Sequence, residues 1–392
     1  MKQPDCVVVA GASTAGLATA EALRRQRYEG NIVVVGAEGE LPYDRSPLSR
    51  QVLAGTWERE QAELRSGTRL HQLGIDLVLG ERAASLDVDN RTVHTASGMA
   101  IAGDAVVIAT GARPRTLPGV AVPNRVHVLR TLDDAVALRA RVLTSERLVV
   151  VGDGVLGSEI AATAREMGRE VTLVGPSAGP LAGRLGPEIA QRLAELHRER
   201  GVCLLPGAVV EGFGRKGARV TSVRLATGEA IPADAVVVAI GADPATEWLE
   251  GSGLALDNGV SCDSRLRAAA GVYAAGDIAR FHHERLGESI RLQNRANAIE
   301  QAAVVAANLL GADEAYAPIP SFRTEQFGAR IDMHGFRPAG ATADIIGGVP
   351  GDRHMVVRYR LGDRTTGVAG WNMPEQARRR RADIAVGSME AA

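Results

Sequence analysis

The sequence predicts an α/β chain in which two nucleotide-binding βαβ units follow one another and a smaller α+β domain closes the molecule. Three observations point there. A strand, glycine turn, helix, strand pattern opens the chain and returns about 140 residues later. Each half closes on a similar apolar run, 105–112 (AVVIATGA) and 235–242 (AVVVAIGA). Beyond Ala312 the pattern changes to alternating apolar and polar residues.

Taken in order, residues 5–10 (DCVVVA) are a short apolar run ended by glycine, which reads as a buried strand. Residues 15–27 carry Ala, Leu and Arg at helical spacing, and 31–35 (NIVVV) form a second buried strand. The second unit runs from a strand at 148–151 through a helix at 156–168 to a strand at 171–174. Segments 355–360 (MVVRYR) and 366–370 (TGVAG) suggest an antiparallel sheet, and a polar helix with Arg378, Arg379, Arg380 and Arg381 ends the chain.

Composition narrows the function. At 392 residues the chain predicts two to four domains and needs no disulfide or metal staple. Hydrophobic residues at 45% rule out a disordered chain. Lys+Arg at 45 against Asp+Glu at 46 leaves no basic field for nucleic acid. Many glycines (45) with few aromatics (3%) suit tight phosphate-binding turns and not a base-stacking surface. Cys6, Cys203 and Cys262 include no C-x-x-C pair, so neither a local redox disulfide nor a zinc ribbon is expected, and no metal site is assigned. No apolar run reaches the roughly 18–20 residues that span a bilayer. The N-terminus enters a strand without a basic leader, so a cytoplasmic protein with no membrane contact is expected.

The first turn, 11–16 (GASTAG), has Ser13 where G-x-G-x-x-G has its middle glycine. Gly11 still makes the tight turn, small Ser13 permits approach of a pyrophosphate, and Gly16 lets the helix pack on the strand. A bland strand–turn–helix is the competing reading. The second turn, 152–157 (GDGVLG), has the full spacing in Gly152, Gly154 and Gly157. The acid that should hydrogen-bond an NAD ribose belongs at the end of the next strand, where Gly175 stands. The ribose hydroxyls then bind elsewhere, or this unit prefers NADP or binds nicotinamide poorly. Weakened discrimination between NADH and NADPH is expected, with Gly175→Glu favouring NADH. Arg184, further on, is a candidate for a 2′-phosphate.

Several segments together resemble one family. They are 41–50 (LPYDRSPLSR), 109–115 (ATGARPR), 128–135 (VLRTLDDA), 273–281 (YAAGDIARF), 297–301 (NAIEQ) and 320–326 (PSFRTEQ). The set resembles the FAD-dependent ferredoxin reductases of the putidaredoxin, rhodocoxin and biphenyl-dioxygenase type, along essentially the whole chain. The resemblance implies a glutathione-reductase-like architecture: two Rossmann-like domains, one for FAD (1–113 and 241–312) and one for NAD(P) (114–240), plus a C-terminal α+β domain (313–392). It implies hydride transfer from NAD(P)H to FAD, then single-electron transfer to a [2Fe–2S] ferredoxin serving a cytochrome P450 or a dioxygenase.

By matching motifs, Gly11, Ser13, Ala15 and Gly16 are implied to cradle the FAD pyrophosphate. Ala37 or Glu38 falls at the adenosine ribose acid, and Glu38 is the one able to accept hydrogen bonds. Arg45 and Arg50 come from the segment passing the flavin and its phosphates. Ala83 matches an adenine contact, Arg130 a cofactor contact, and Thr110, Gly111 and Gly241 the glycine turns that close each half. Asp277, after Gly276, is implied to hold the ribityl chain; the alternative is an N-cap on a following helix.

Departures from the family pattern carry their own expectations. Arg50 stands where the family has Lys, commonly paired with the acid matching Glu159, so Arg50–Glu159 preserves the charge with a different geometry. Arg295 and Arg323 stand where the family has aromatics beside the flavin, and Gln293 where it often has an acid. Arg50, Glu159 and Arg295 are therefore the candidate catalytic residues. The arginines either point to solvent or rebuild the pocket for an anionic small molecule. The second option makes the chain a flavoenzyme acting directly on such a substrate, and a non-catalytic flavin-binding scaffold is a third. Arg378–Arg381 either dock an acidic ferredoxin or form a solvated face. His282 and His283 follow the Asp277 turn with no visible partner.

Overall fold

The computed structural model describes residues 3–349 and 353–384. Val7, Val8, Val9 and Ala10 are wholly buried because their strand, Cys6–Ala10, runs through the middle of a six-stranded sheet. It pairs in parallel with Asn31–Gly36 on one side and Ala105–Ile108 on the other. Ile75–Leu79 extends the sheet beyond Asn31–Gly36, and Val272–Ala274 adds beside Ala105–Ile108. A strand with neighbours on both sides and helices across its faces must be apolar throughout, as this one is. Helices Thr14–Arg25 and Arg295–Leu309, both rich in alanine, pack closely on each other.

The second parallel sheet has the order Val202–Pro206, Glu170–Gly175, Arg147–Val151, Ala235–Val238, Val126–His127. Both central strands are again continuous apolar runs. In sequence this sheet lies inside the first, since strands from 6–108 and 267–274 share the six-stranded sheet. Each closing run is broken by a glycine at positive φ, Gly111 (+73°) and Gly241 (+104°), into a core strand and a short crossing strand. The crossing strands, Ala112–Pro114 and Ala242–Pro244, pair with each other antiparallel. Arg115 and Arg113 bridge to Asp243 at 2.6 and 3.6 Å along that ribbon.

The last sheet is antiparallel throughout, in the order Ser321–Gln326, Ala329–Gly335, Arg364–Trp371, Met355–Leu361, Thr342–Gly348. Trp371, Tyr359, Met355 and Met333 line one face and pack on Leu185, Ile189 and Leu193 of helix Ala182–Glu199. Helix Pro374–Arg380 covers the other face through Ala377. Two small antiparallel sheets had no sequence expectation: Ala83–Asp87 with Thr92–Thr95 and Ala100–Ala102, and Val210–Lys216 with Arg219–Leu225 and Ala230–Pro232. Their strands are half-exposed and lack the apolar runs that marked the others. Among the described residues no helix is long and apolar enough to cross a membrane.

Candidate functional site

The first glycine turn closes only with glycine. Gly11 sits at φ +126°, and a Cβ there would lie 2.1 Å from the Ala109 carbonyl oxygen. A Cβ on Gly16 would lie 1.8 Å from the Gly11 oxygen. The helix Thr14–Arg25 thereby starts hard against the strand, with Ser13 in extended conformation at its N-cap and no side-chain cap. The free N–H groups of that helix start are suited to an anion.

A cleft of about 230 Å³ opens beside the turn, lined by Gly11, Ser13, Ala37, Glu38, Ala83 and Thr110. Glu38 is fixed there by the Tyr43 hydroxyl and by Arg45 Nη2 at 2.7 Å. Arg45 also reaches Ser13 Oγ at 3.3 Å and stacks over the Tyr43 ring at 5.2 Å. Burial pushes the Tyr43 phenol well above its ordinary range, so it stays a donor to Glu38. Thr110 receives the Trp248 indole N–H at 3.2 Å and donates to the Ala245 carbonyl at 3.2 Å.

On the other side of the turn, Gly276 (φ +83°) brings its Cα against Ala15, where a Cβ would sit 2.8 Å from the alanine methyl. Its N–H donates to Gln301 Oε1 at 2.7 Å. Gln301 is fully buried and its Nε2 has no hydrogen-bond partner in the protein. A buried amide that cannot reach a protein acceptor calls for one from outside the chain, a ligand or an ordered water. Asp277 Oδ2 meets Arg130 Nη2 at 3.3 Å. Burial, and then the nearby Arg45, push Arg130 below its ordinary value, with Asp277 opposing them. The N-cap alternative for Asp277 does not stand: strand Ala279–His283, not a helix, follows it. His283 is buried and hydrogen-bonds the Pro318 carbonyl at 2.8 Å, a structural role.

The expected Arg50–Glu159 pair is corrected. Arg50 bridges to Glu325 at 3.0 Å. Glu159 instead accepts the Ser49 hydroxyl at 2.6 Å and the Thr324 hydroxyl at 2.9 Å. The branched guanidinium reaches past the buried acid to a more exposed one. Beyond Thr324 the network continues through Gln326 to the buried His197. Burial raises Glu159, offset by Ser49 and then by the field of Arg50. A carboxyl raised in the folded state favours folding below its unfolded pKa and loses that contribution as pH rises through its folded value. Glu159→Gln is therefore expected to match the parent at pH 4 and to melt at a higher temperature than the parent at pH 8. Thermal melts at both pH values check this.

The arginines that suggested an anionic substrate have partners. Arg295, at the start of its helix, bridges to Asp44 at 2.8 Å. Arg323 bridges to its cross-strand neighbour Asp332 at 2.8 Å with a side chain 59% exposed. That is the outward-pointing alternative, and it leaves no unpaired guanidinium there to rebuild a pocket. Gln293 reaches the Ala242 carbonyl at 3.4 Å. Arg378, Arg379 and Arg380 are exposed on their helix.

The second turn repeats the construction of the first. Gly152 has φ +114° with its would-be Cβ 2.3 Å from the Ala239 oxygen, and a Cβ on Gly157 would lie 1.8 Å from the Gly152 oxygen. Gly154 is the N-cap of helix Val155–Glu166 and faces open space. The end of the next strand does not lack an acid, contrary to expectation: Asp153 places its carboxylate beside Gly175 and accepts the Ser177 N–H at 3.0 Å. Arg184 stacks its guanidinium on the Phe322 ring at 5.4 Å. No cluster of three or more potential metal ligands occurs among the described residues.

Sequence reasoning did not assign roles to Asp153, Tyr43, Gln301, Trp248, Ser49 and Thr324. Tyr43, Ser49, Asp153, Gln301 and Thr324 lay inside quoted motifs; Trp248 had no signal until the chain folded.

The turn and its two flanks fit FAD: a helix start for the pyrophosphate, Glu38 in the cleft for a ribose, and on the other flank Asp277 and the unsatisfied amide of Gln301. Known proteins agree with that geometry. Residues 5–303 match the model of the pyridine nucleotide-disulphide oxidoreductase family. The chain is 36% identical to the anthranilate 1,2-dioxygenase system ferredoxin–NAD(+) reductase component of Burkholderia cepacia, over 98% of this chain and 95% of that protein. It is 34% identical to putidaredoxin reductase of Pseudomonas putida, over 95% and 90%. Among solved structures, the ferredoxin reductase for the CYP199A2 system from Rhodopseudomonas palustris superimposes with a TM-score of 0.93 at 32% identity, covering 98% of this chain and 96% of that one. The reductase in a covalent putidaredoxin reductase–putidaredoxin complex gives 0.92 at 32% identity, covering 98% and 94%.

Proposed function

The chain belongs to the pyridine nucleotide-disulphide oxidoreductase family, and from that premise we propose that it is the FAD-dependent reductase of a ferredoxin-linked oxygenase system. It is an oxidoreductase of the ferredoxin reductase type, using FAD and NAD(P)H. Its partner is a [2Fe–2S] ferredoxin, and the terminal acceptor is a cytochrome P450 or a dioxygenase. The observation that carries the reading is the repetition of one glycine-closed strand–turn–helix, at Gly11–Gly16 and at Gly152–Gly157, in a single chain. A chain that holds two dinucleotides is built to pass electrons between them.

The boundaries we assign are 1–113 with 241–312 for FAD, 114–240 for NAD(P), and 313–392 for the C-terminal domain. Ser13, Ala15 and Gly16 present N–H groups to the FAD pyrophosphate across the tight turn made by Gly11, whose own N–H donates to the Val35 carbonyl, and Glu38 accepts from the adenosine ribose. Ala83 and Thr110 wall the adenosine cleft. Asp277, with Arg130 balancing its charge, accepts from the ribityl chain. Flavin, when bound, supplies the exchange of a two-electron donor for a one-electron acceptor. Gly152, Gly154 and Gly157 hold the nicotinamide dinucleotide. Glu159 and Arg50, on either side of the contact between the Leu48–Val52 turn and the C-terminal sheet, position the flavin-side segment, and Arg295 fixes Asp44 on the same segment. We place the protein in the cytoplasm, where three unpaired cysteines are at home.

Anaerobic titration with NADH and NADPH, read at the flavin absorbance band, tests the reading. One of the two nucleotides is expected to bleach the flavin at micromolar concentration, and the reduced protein is expected to reduce cytochrome c only through a ferredoxin. Failure of both nucleotides at millimolar concentration overturns it.

A further inference from the structure

We propose that Asp153 determines nicotinamide specificity, supplying from the glycine turn the ribose acid that the strand end lacks, and so selecting NADH against NADPH. The inference rests on the reading that a nicotinamide dinucleotide binds at the Gly152 turn. In a βαβ unit of this kind an acid at the end of the second strand accepts from the adenosine ribose 2′-hydroxyl. Here that position is Gly175, the last residue of Glu170–Gly175.

Gly175 is not at positive φ, so the backbone does not demand glycine there. Space does. The three atoms nearest a Cβ built on Gly175 all belong to Asp153: Cγ at 2.2 Å, Oδ2 at 2.4 Å and Cβ at 2.5 Å. The Asp153 carboxylate occupies the volume from which a side chain at 175 would grow. Glycine at 175 and aspartate at 153 are thus one arrangement, with the acid moved from one strand end to the next.

The carboxylate is also held. Oδ2 accepts the Ser177 N–H at 3.0 Å and Oδ1 the Ser177 hydroxyl at 3.3 Å, while the Asp153 carbonyl accepts the Leu181 N–H at 2.9 Å. These contacts do two things. They fix an acceptor that keeps free lone pairs for ribose hydroxyls. They also consume the N–H and hydroxyl beyond the strand that would otherwise receive a 2′-phosphate. A phosphate brought there meets a fixed carboxylate and two occupied donors, and like charges so placed cost on the order of 100-fold or more in affinity. Asp153 is only half-buried and the adjoining Gly154 is open, so a ligand can reach the carboxylate. Gly175→Glu alone is a poor route to NADH preference, because the new side chain must first expel Asp153.

Calorimetric binding of ADP-ribose and 2′-phospho-ADP-ribose, with anaerobic flavin reduction by NADH and NADPH, tests the proposal in the full-length flavoprotein. The parent is expected to prefer the unphosphorylated ligand by about 100-fold. Asp153→Asn keeps the shape and drops the charge, and Asp153→Gly removes both. Each is expected to cut the preference at least about tenfold, mainly by tightening the 2′-phosphorylated ligand. Asp153→Gly with Gly175→Glu is expected to restore it. A parent that prefers the phosphorylated ligand, or a preference unchanged in both single variants, overturns the proposal. Failure of both nicotinamides to reduce the parent flavin, with the ADP-ribose pattern as expected, overturns the reductase reading and leaves Asp153 in its role.

Discussion

Gly16→Ala is expected to purify without flavin, as a colourless protein. The added methyl carbon would lie 1.8 Å from the Gly11 carbonyl oxygen and 3.1 Å from Val9 Cγ1. The nearer contact is backbone, and Gly11 cannot retreat because its own Cα faces the Ala109 carbonyl. Relief requires the helix Thr14–Arg25 to lift from the strand, which withdraws its free N–H groups from the cleft. A loss of about 1000-fold or more in FAD affinity is expected, equivalent to roughly 4 kcal/mol. Gly157→Ala suffers the same 1.8 Å overlap in the second unit and serves as the control. It is expected to stay yellow and to lose reduction by nicotinamide. The ratio of flavin to protein absorbance, with anaerobic bleaching, separates the two. A Gly16→Ala protein with a full complement of flavin would place the cofactor elsewhere.

Asp277→Ala is expected to weaken FAD binding on the order of 100-fold, with Asp277→Asn between it and the parent. The aspartate has two tasks in the site. It offers a carboxylate oxygen to the ligand, and it partners Arg130 at 3.3 Å in a place where burial already disfavours that cation. Both groups keep some solvent exposure, so the pair itself contributes modestly and most of the effect belongs to the ligand. Fluorescence titration of the apoprotein with FAD measures it. Equal affinities in all three proteins would show Asp277 to be a partner of Arg130 alone.

The parts of this architecture that were legible in the sequence are the parts made by short-range rules. Buried parallel strands must be apolar along their length, so 5–10, 31–35, 148–151 and 171–174 announced themselves, each shifted by a residue or so at the ends. Tight turns need glycine, so Gly11, Gly16, Gly152 and Gly157 could be assigned before any coordinates. Half-exposed strands such as Ala83–Asp87 obey no such rule and left no trace. Partnerships across the chain were equally silent. Nothing in the spacing of residues 50, 159 and 325 says that Arg50 passes over Glu159 to reach Glu325. Nor does a glycine at 175 reveal that its space is filled from position 153. Resemblance named the positions that matter, and only the packing assigned their partners.

The ribbon formed by Ala112–Pro114 and Ala242–Pro244 bears on how the molecule assembles. Strands Ala105–Ile108 and Val272–Ala274 are neighbours in one sheet but far apart along the chain, a long loop that costs entropy to close. The five-stranded sheet inside that loop leaves and returns through strands that touch. Once it has folded, its two ends stand side by side, and the long loop becomes in effect a short turn. The order of events that avoids the entropic penalty is therefore inside first, outside second. A substitution that loosens the inner sheet then slows closure of the outer one, even where it touches no strand of it.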